Sequence, residues 1–293
     1  MFIWPDCIPC ILKMSLEIAR FSMKEERTVK AFMGEIVGLP PLRGEEWDIT
    51  SPEIIQWIWE KMARITKDED PLREIKAGQN RKALDLYGAA SDRVRKSADP
   101  FLAALKLAIA ANSIDAMVDI HRDRSAGAFQ GDLIGDWVLT DEGAEGLRNR
   151  LLEARRIVYL LDNCGEIVFD RLFLEVLKET YTREVSVVVR SRPILNDATI
   201  VEATSVGLPA VAQVVENGIP GPFAGTRLHL VSADVRRLLM DADLVVAKGG
   251  GNLDSLTEDS ELEGRISFLF HGKCHPFCAP RNVSPGTLIV DNR

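Results

Sequence analysis

The chain contains 293 residues, of which 46% are hydrophobic and 27% are charged, a composition typical of a soluble globular protein with one large domain or two unequal ones. Its formal net charge of −8 argues against a nucleic-acid-binding role, because such proteins usually carry a basic patch. No stretch approaches roughly 18 uninterrupted apolar residues, and the amino terminus lacks a basic region followed by a long apolar run, so we expect a cytoplasmic protein that does not bind membranes.

The first 125 residues are predicted to form an all-helical domain. Apolar residues recur at helical spacing in five segments, which are residues 8–21, 25–37, 51–65, 72–87 and 100–111. Ser51 and Pro52 are typical of a helix start, where a serine can cap unpaired N–H groups and a proline needs no N–H partner. Trp57 and Trp59 follow on that helix and indicate core packing rather than a binding surface.

After Gly127 the pattern changes to short β-rich runs that alternate with helix-length segments. The predicted strands are residues 156–161, 184–189, 210–215, 227–231, 244–247, 266–270 and 287–290. Strands separated by helices indicate βαβ units and a mostly parallel sheet. We therefore predict a three-layer α/β domain over residues 126–293 with a Rossmann-like sheet, and a domain boundary within the polar residues 123–136.

The loop after the first predicted strand carries two polar residues, Asp162 and Asn163, before a helix begins. In an open α/β sheet such a loop lies at the carboxyl end of a strand, where ligands bind. A carboxylate beside an amide offers hard oxygen donors, which suit Mg²⁺, Mn²⁺ or Ca²⁺. Alternatively, Asp162 only caps the following helix.

Asp197 occupies the equivalent position after the second predicted strand, in the segment Arg192-Pro193-Ile194-Leu195-Asn196-Asp197. Taken alone, Asn196 and Asp197 are typical of a helix cap. Placed beside Asp162 and Asn163, Asp197 becomes a third oxygen ligand from a neighbouring strand.

Lys248 and the three glycines that follow it form the third polar loop. Glycines allow a ligand to approach the backbone closely, and the unpaired N–H groups of a helix start attract anions. The lysine adds a positive charge suited to phosphate, and Lys273 would add a second one after the strand at residues 266–270. The order of residues matches neither a Walker loop nor the dinucleotide fingerprint. The alternative is a tight turn with exposed lysines.

These three loops resemble motifs of a known family. DNxGE at residues 162–166, PxxND at 193–197 and KGxGN at 248–252 resemble the metal-dependent damage-control phosphatases, also described as the acidic-residue methyltransferase-like, metal-binding family. Asp70-Pro71, Lys76 and residues 111–115 resemble elements of its amino-terminal domain. In that last element the register differs, because the family has a glycine before Asn112 and an asparagine in place of Ser113.

The resemblance implies a site with three kinds of residue. A divalent cation (Mn²⁺, Co²⁺, Ni²⁺ or Mg²⁺) would be held by Asp162, Asn163 and Asp197. Phosphate would be held by Lys248, Gly249, Gly250, Gly251, Asn252 and Lys273. Asp162, Glu166 and Lys248 are the implied catalytic residues, with either water or Asp162 as the nucleophile, and Glu166 would orient the ligands or act as a base.

The cysteines allow a second metal site. Cys7 and Cys10 have CxxC spacing, and Cys274 and Cys278 could supply another pair for zinc or an iron–sulfur cluster. The alternative is that they are free thiols, and the odd number of five cysteines does not indicate a disulfide framework. CxxC together with Lys273-Cys274 resembles the stand-alone subfamily of these phosphatases.

The predicted function is therefore metal-dependent hydrolysis of small phosphorylated metabolites, and the resemblance implies sugar phosphates or phosphopantetheine-like compounds. One alternative is a non-enzymatic metal- or metabolite-binding protein in which CxxC senses redox state or metal. A second is an S-adenosylmethionine-dependent methyltransferase, which is disfavoured because the first loop is acidic where the cofactor carboxylate would lie. The sequence specifies neither the physiological substrate nor the oligomeric state.

Overall fold

A computed structural model of the chain describes residues 1–113, 137–180 and 184–293. The predicted domain boundary and the last two residues of the element at 111–115 lie outside these ranges. Within them, the chain forms a helical amino-terminal region followed by an α/β region with one six-stranded sheet. Both parts of the predicted fold class are confirmed.

Five α-helices lie within residues 1–113, and all five were predicted. They are α1 (Cys7–Ser22), α2 (Glu26–Val37), α3 (Ser51–Thr66), α4 (Arg73–Lys96) and α5 (Pro100–Ala110). The start of α3 is fixed by a capping box between Thr50 and Glu53, and that of α5 by Asp99, which accepts a hydrogen bond of 3.0 Å from the Leu102 N–H. In the described ranges, every helix is too short or too polar to cross a membrane.

The six strands are arranged in the order β3-β2-β1-β4-β5-β6. Their bounds are β1 (Arg156–Leu160), β2 (Glu184–Val189), β3 (Gln213–Glu216), β4 (Leu244–Lys248), β5 (Ile266–His271) and β6 (Leu288–Asn292). All neighbouring pairs are parallel except β5 and β6. This is the strand order of a doubly wound nucleotide-binding sheet, with an antiparallel sixth strand.

The prediction of a strand at residues 227–231 was wrong. The third strand was predicted at residues 210–215, whereas β3 begins at Gln213. The N–H groups of Leu230 and Val231 both bond to the Arg227 carbonyl, at 3.0 and 3.1 Å. These local bonds make the segment a turn, so it has no ladder partner in the sheet. Residues 208–210, just before β3, form a single 3-10 turn.

Helices cover both faces of the sheet and complete three layers. One face packs against α6 (Asp141–Glu153), α7 (Glu166–Thr180) and α8 (Ile200–Ser205), and the other against α9 (Ala233–Asp241) and α10 (Gly249–Leu256). Each residue of β4 is buried, as expected for a strand covered on both sides.

The hydrophobic clusters do not follow the predicted division at residue 125. Helices α4 and α5 contribute to the same apolar cluster as α7 and the sheet, whereas α1, α2 and α3 form a separate cluster. Lys76 of α4 is fully buried and pairs with Asp70 and with Glu202 of α8, at 2.8 and 2.9 Å. The division into domains stays a prediction.

Candidate active site

The loops after β1 and β2 are joined to each other by backbone contacts. Asn163 and Asp197 form an isolated antiparallel bridge. The Cys164 N–H donates to the Asn196 carbonyl, and the Ala198 N–H donates to the Asp162 carbonyl, both at 2.8 Å. Parallel strands end at the same edge of a sheet, and these bonds bring the three predicted metal ligands together there.

The joined loops form an acidic pocket. Asp162, Asn163 and Asp197 are buried, and Glu166 at the start of α7 is fully buried. Burial raises the pKa of Asp162 well above its ordinary range, and the nearby Asp197 and Glu166 carboxylates raise it further. The positive charges of Arg190 and Lys273 lower the pKa of Asp162 and so oppose this shift. Carboxylates are therefore concentrated here with little water to solvate them.

These donors fit a hard divalent cation. Two carboxylates and an amide supply oxygen ligands, and a cation would offset the repulsion that raises the pKa of Asp162. The Asn163 amide nitrogen donates to Asp162 at 2.7 Å. Rotation of the amide group by half a turn would present its oxygen to a cation instead. Within the described ranges, no three His, Cys, Asp or Glu side chains are grouped so as to hold a metal, and the predicted set contains only two such residues.

Arg190, directly after β2, is the main residue of the site that sequence reasoning missed. It is 2% exposed, and its guanidinium donates to Asp197 at 2.7 Å and to Asp162 at 3.4 Å. It also reaches Asn252 at 3.0 Å and Thr226 at 3.4 Å. A signal was present, because Arg190 follows an apolar strand just as Asp162 does.

Asn112, at the end of α5, is a second missed residue. Its amide donates to Glu166 at 2.9 Å and to Asp162 at 3.2 Å, and its oxygen accepts from the His271 N–H at 3.3 Å. The asparagine was part of a family element in the sequence, but nothing in the spacing indicated that α5 ends at the sheet edge.

Lys248 does not face the open side of the loop. Its ammonium group is 0% exposed and donates to Asp170 at 2.6 Å, to the Ala108 carbonyl at 3.0 Å and to Glu166. Burial alone would lower the pKa of Lys248, but the two carboxylates hold it above its ordinary value. All three of its hydrogens have acceptors, so the predicted phosphate contact is not made in this arrangement.

The three glycines form the first turn of α10 rather than a loop. Gly249 has a φ of +75°, and a Cβ there would lie 1.7 Å from an Asp162 carboxylate oxygen. A Cβ on Gly250 would lie 2.7 Å from the Phe277 ring, and one on Gly251 would lie 2.2 Å from the Ala224 carbonyl. Each glycine is therefore explained by close packing, and Asp162 lies against the positive end of the α10 helix dipole.

Asn252 and Lys273 differ in their surroundings. Asn252 is fully buried, donates to the Leu161 and Lys248 carbonyls at 3.0 and 2.8 Å, and accepts from Arg190. Its side chain braces the loops. Lys273 is exposed after β5, and its charge lowers the pKa of Asp162. Of the two predicted lysines, Lys273 is the one beside the acidic pocket that solvent can reach.

Of the five cysteines, Cys164 is the one in the loops that form the acidic pocket, and it is buried there. Cys7 and Cys10 begin α1, and Cys274 precedes α11 (His275–Cys278). Burial raises the pKa of Cys274 to about 11, and the nearby Cys7 and Cys10 contribute to that rise. All five cysteines are described and none forms a disulfide. The described residues contain no preformed second metal site, so that site stays a prediction.

Comparison with known sequences gives matches over nearly the whole chain. The family described as damage-control phosphatase ARMT1-like domain matches residues 3–289. A protein of Archaeoglobus fulgidus named damage-control phosphatase is 28% identical over 292 residues, which cover 99% of both chains. A damage-control phosphatase of Pyrococcus horikoshii is 30% identical over 286 residues, which cover 97% of this chain and 96% of that one.

Solved structures give the same result for the fold. The chain superimposes on the crystal structure of a DUF89 family protein from Pyrococcus horikoshii with a TM-score of 0.81. The superposition covers 100% of this chain and 99% of the other, at 24% identity. The match therefore extends through the helical region as well as the sheet.

Proposed function

The chain belongs to the damage-control phosphatase family, and from that membership we propose that it is a metal-dependent phosphomonoesterase acting on small phosphorylated metabolites. The family assigns it a phosphatase role in removing damaged or surplus metabolites. Sugar phosphates and phosphopantetheine-like compounds are the substrate classes that we expect. The observation that carries the proposal is the bridge between Asn163 and Asp197, which gathers hard oxygen donors at the carboxyl edge of the sheet.

Asp162, Asn163 and Asp197 would hold the cation. Bound there, a divalent metal would neutralise phosphoryl oxygens and lower the pKa of a water molecule. Hydrogen bonds from neighbouring side chains orient these metal-binding groups. Glu166 accepts from the Asn163 amide at 3.2 Å, and Asn112 donates to both Asp162 and Glu166. We therefore assign Glu166 to positioning rather than to proton abstraction.

We assign the attack on phosphorus to water rather than to Asp162. One carboxylate oxygen of Asp162 faces Arg190, and the other accepts from Asn112 and Asn163. A carboxylate whose oxygens both have donors is a poor nucleophile, because its lone pairs are already stabilised. Asp162 is better suited to holding the cation and the donors around it.

The phosphate group would lie beside Lys273 and the amino end of α10. Lys273 supplies a positive charge that solvent can reach, and the first turn of a helix has N–H groups without helical acceptors. Lys248 is buried and would not contact the phosphate group. Its ammonium group forms ion pairs with Glu166 and Asp170 and so fixes their positions. Lys273 would therefore contact the substrate, whereas Lys248 would only hold the residues behind it.

The test measures metal binding and phosphate release separately. Wild-type protein is titrated with Mn²⁺ by calorimetry and assayed with p-nitrophenyl phosphate, beside Asp162→Asn and Asp197→Asn. We expect each variant to lose Mn²⁺ binding and about 100-fold or more in kcat/KM. Asp234→Asn is the control, because that carboxylate is 90% exposed on α9.

Three results would contradict the proposal. Phosphate release by the wild type that is equal with and without metal would remove the cation from the reaction. Full Mn²⁺ binding by both variants would place the metal elsewhere. If the wild type instead bound S-adenosylmethionine and released no phosphate, the methyltransferase alternative would replace the phosphatase.

A further inference from the structure

We infer that Arg190 is a positioning residue that fixes Asp162 and Asp197 relative to each other and thereby sets the affinity for the divalent cation. The inference rests on the proposed function, because it concerns the carboxylates that would hold the metal. Arg190 would act through Asp162 and Asp197, without contacting the substrate or the reacting atoms.

The Arg190 side chain contacts four separate segments around the pocket. The Arg190 guanidinium bonds to Asp162 after β1, to Asp197 after β2, to Thr226 between β3 and α9, and to Asn252 in α10. Its backbone N–H also donates to the Ala198 carbonyl at 3.0 Å, beyond the Asp197 turn. Arg190 is thus hydrogen-bonded at both ends to the loops that it holds.

This set of contacts requires an arginine at position 190. The guanidinium is planar and presents five N–H donors in fixed directions, so it can bind two carboxylates and two neutral oxygens at once. Lysine would bring the same charge but only three donors around one atom. Because Arg190 is 2% exposed, water has little access to replace a missing contact.

Arg190 has two opposing effects on the binding of a cation. Its positive charge repels the metal, which would weaken binding. Its hydrogen bonds hold Asp162 and Asp197 at a fixed separation, although their like charges repel each other, and this strengthens binding. The bond of 2.7 Å to Asp197 is short and charge-assisted. Because one rigid group bonds to both carboxylates, we take orientation to be the larger effect.

The experiment compares two variants. Arg190→Lys keeps the positive charge but loses the planar set of donors, and Arg190→Met loses both the charge and the donors. Mn²⁺ affinity is measured by calorimetry on the full chain, and the melting temperature of the metal-free protein is recorded. We expect Kd for Mn²⁺ to rise about tenfold or more in both variants, as for other residues that orient metal ligands. At saturating Mn²⁺, kcat for p-nitrophenyl phosphate should return to within about threefold of wild type for Arg190→Lys.

The outcomes separate orientation from charge and from folding. Tighter Mn²⁺ binding by Arg190→Met, with wild-type affinity in Arg190→Lys, would mean that charge dominates and would overturn the inference. A kcat of Arg190→Lys that stays low at saturating metal would overturn it too, because Arg190 would then act in the reaction itself. Arg190→Gln, which keeps a planar donor group, replaces Arg190→Met if that variant does not fold, with the same expected loss of affinity.

Two controls complete the design. Arg148→Met removes another paired arginine, which bonds to Asp99 away from the pocket, and should leave Kd for Mn²⁺ unchanged. Wild-type protein distinguishes failure of this inference from failure of the proposed function. If the wild type binds no Mn²⁺, the proposed function fails; if it binds Mn²⁺ and the Arg190 variants bind equally well, only the role of Arg190 fails.

Discussion

Lys248 and Lys273 are the same type of residue in opposite surroundings. Lys248 is sealed between Glu166 and Asp170, whereas Lys273 is exposed beside the acidic pocket. Lys248 ends β4 and Lys273 follows β5 at the same edge of the sheet, so the two lysines look equivalent in the sequence. The difference arises because Lys248 belongs to a strand whose residues are all buried, whereas Lys273 lies two residues beyond the end of β5.

We expect Lys248→Met to lower the free energy of unfolding by about 3–5 kcal/mol, because it leaves two buried carboxylates without their cation. Urea unfolding of the metal-free protein measures this loss. An unchanged unfolding free energy together with weaker inhibition by phosphate would contradict it, and would support a direct contact between Lys248 and phosphate.

Lys273→Ala should behave in the reverse way. Because the side chain is exposed, the unfolding free energy should change by less than about 0.5 kcal/mol. Inhibition by inorganic phosphate should weaken about tenfold, since one charged contact is lost. Lys96→Ala, at a side chain that is 79% exposed, is the control. If phosphate inhibition is the same in Lys273→Ala and wild type, the phosphate does not bind beside Lys273.

How far single residues could be predicted depends on which interactions are visible along the chain. Asp162, Asn163 and Asp197 could be grouped from the sequence, because each follows a predicted strand and parallel strands end at one edge. The role of Arg190 could not be predicted, since its four partners come from four separate segments. Its position after β2 was a sufficient reason to consider it.

At the scale of elements, the glycines of α10 show why a local pattern can mislead. Three consecutive glycines are unfavourable in a helix by roughly 1 kcal/mol each relative to alanine, which argued for a loop. In the structure they form a helical turn, because Asp162, Phe277 and Ala224 approach the backbone too closely for any side chain. Tertiary contacts therefore outweigh the helix propensity here.

This packing gives a prediction for the first glycine. Gly249 and Gly264 both have positive φ, at +75° and +87°, but a Cβ on Gly264 would meet nothing within 4 Å. Alanine at either position should cost about 1–2 kcal/mol of stability through backbone strain. Only Gly249→Ala should also lose Mn²⁺ affinity, about tenfold or more, because the added methyl group displaces the Asp162 carboxylate. Calorimetric titration of both variants tests this, and equal Mn²⁺ affinities would contradict it.

The strands were predicted well where burial on both faces gave a continuous apolar run. β2 was predicted with its observed bounds, and β1, β4 and β5 to within one residue. The prediction failed at residues 227–231, where alternating apolar residues resemble a strand although the backbone closes a local turn. Helix α6 was not predicted, because polar residues dominate it, although its buried residues Ala144, Leu147 and Leu151 have helical spacing.

At the scale of the whole molecule, a buried carboxyl group makes stability depend on pH. Burial raises the pKa of Asp254 to about 7. Between pH 4 and 7 the folded protein then holds a proton that the unfolded chain releases. The free energy of unfolding should therefore fall as pH rises through this window, by at most about 1.4 kcal/mol per pH unit.

Asp254→Asn tests this dependence without altering a predicted metal ligand. One carboxylate oxygen of Asp254 has no hydrogen-bond partner among the described residues, so little is lost by replacing the acid with an amide. Unfolding in urea is measured at pH 5 and pH 8 for both proteins. The decrease between these pH values should be about 1–3 kcal/mol smaller in the variant. An equal decrease would mean that Asp254 does not titrate in this range.

Helix α5 has a consequence for the synthesis of the chain. Eight of its residues are buried, and its main partner is α7 in the core of the sheet region. The ribosome completes α5 at Ala110, whereas α7 ends only at Thr180. At roughly 5–20 residues per second, several seconds separate the two helices. During that interval an almost wholly apolar helix is outside the core that will enclose it, so the nascent chain needs shielding from aggregation at this stage.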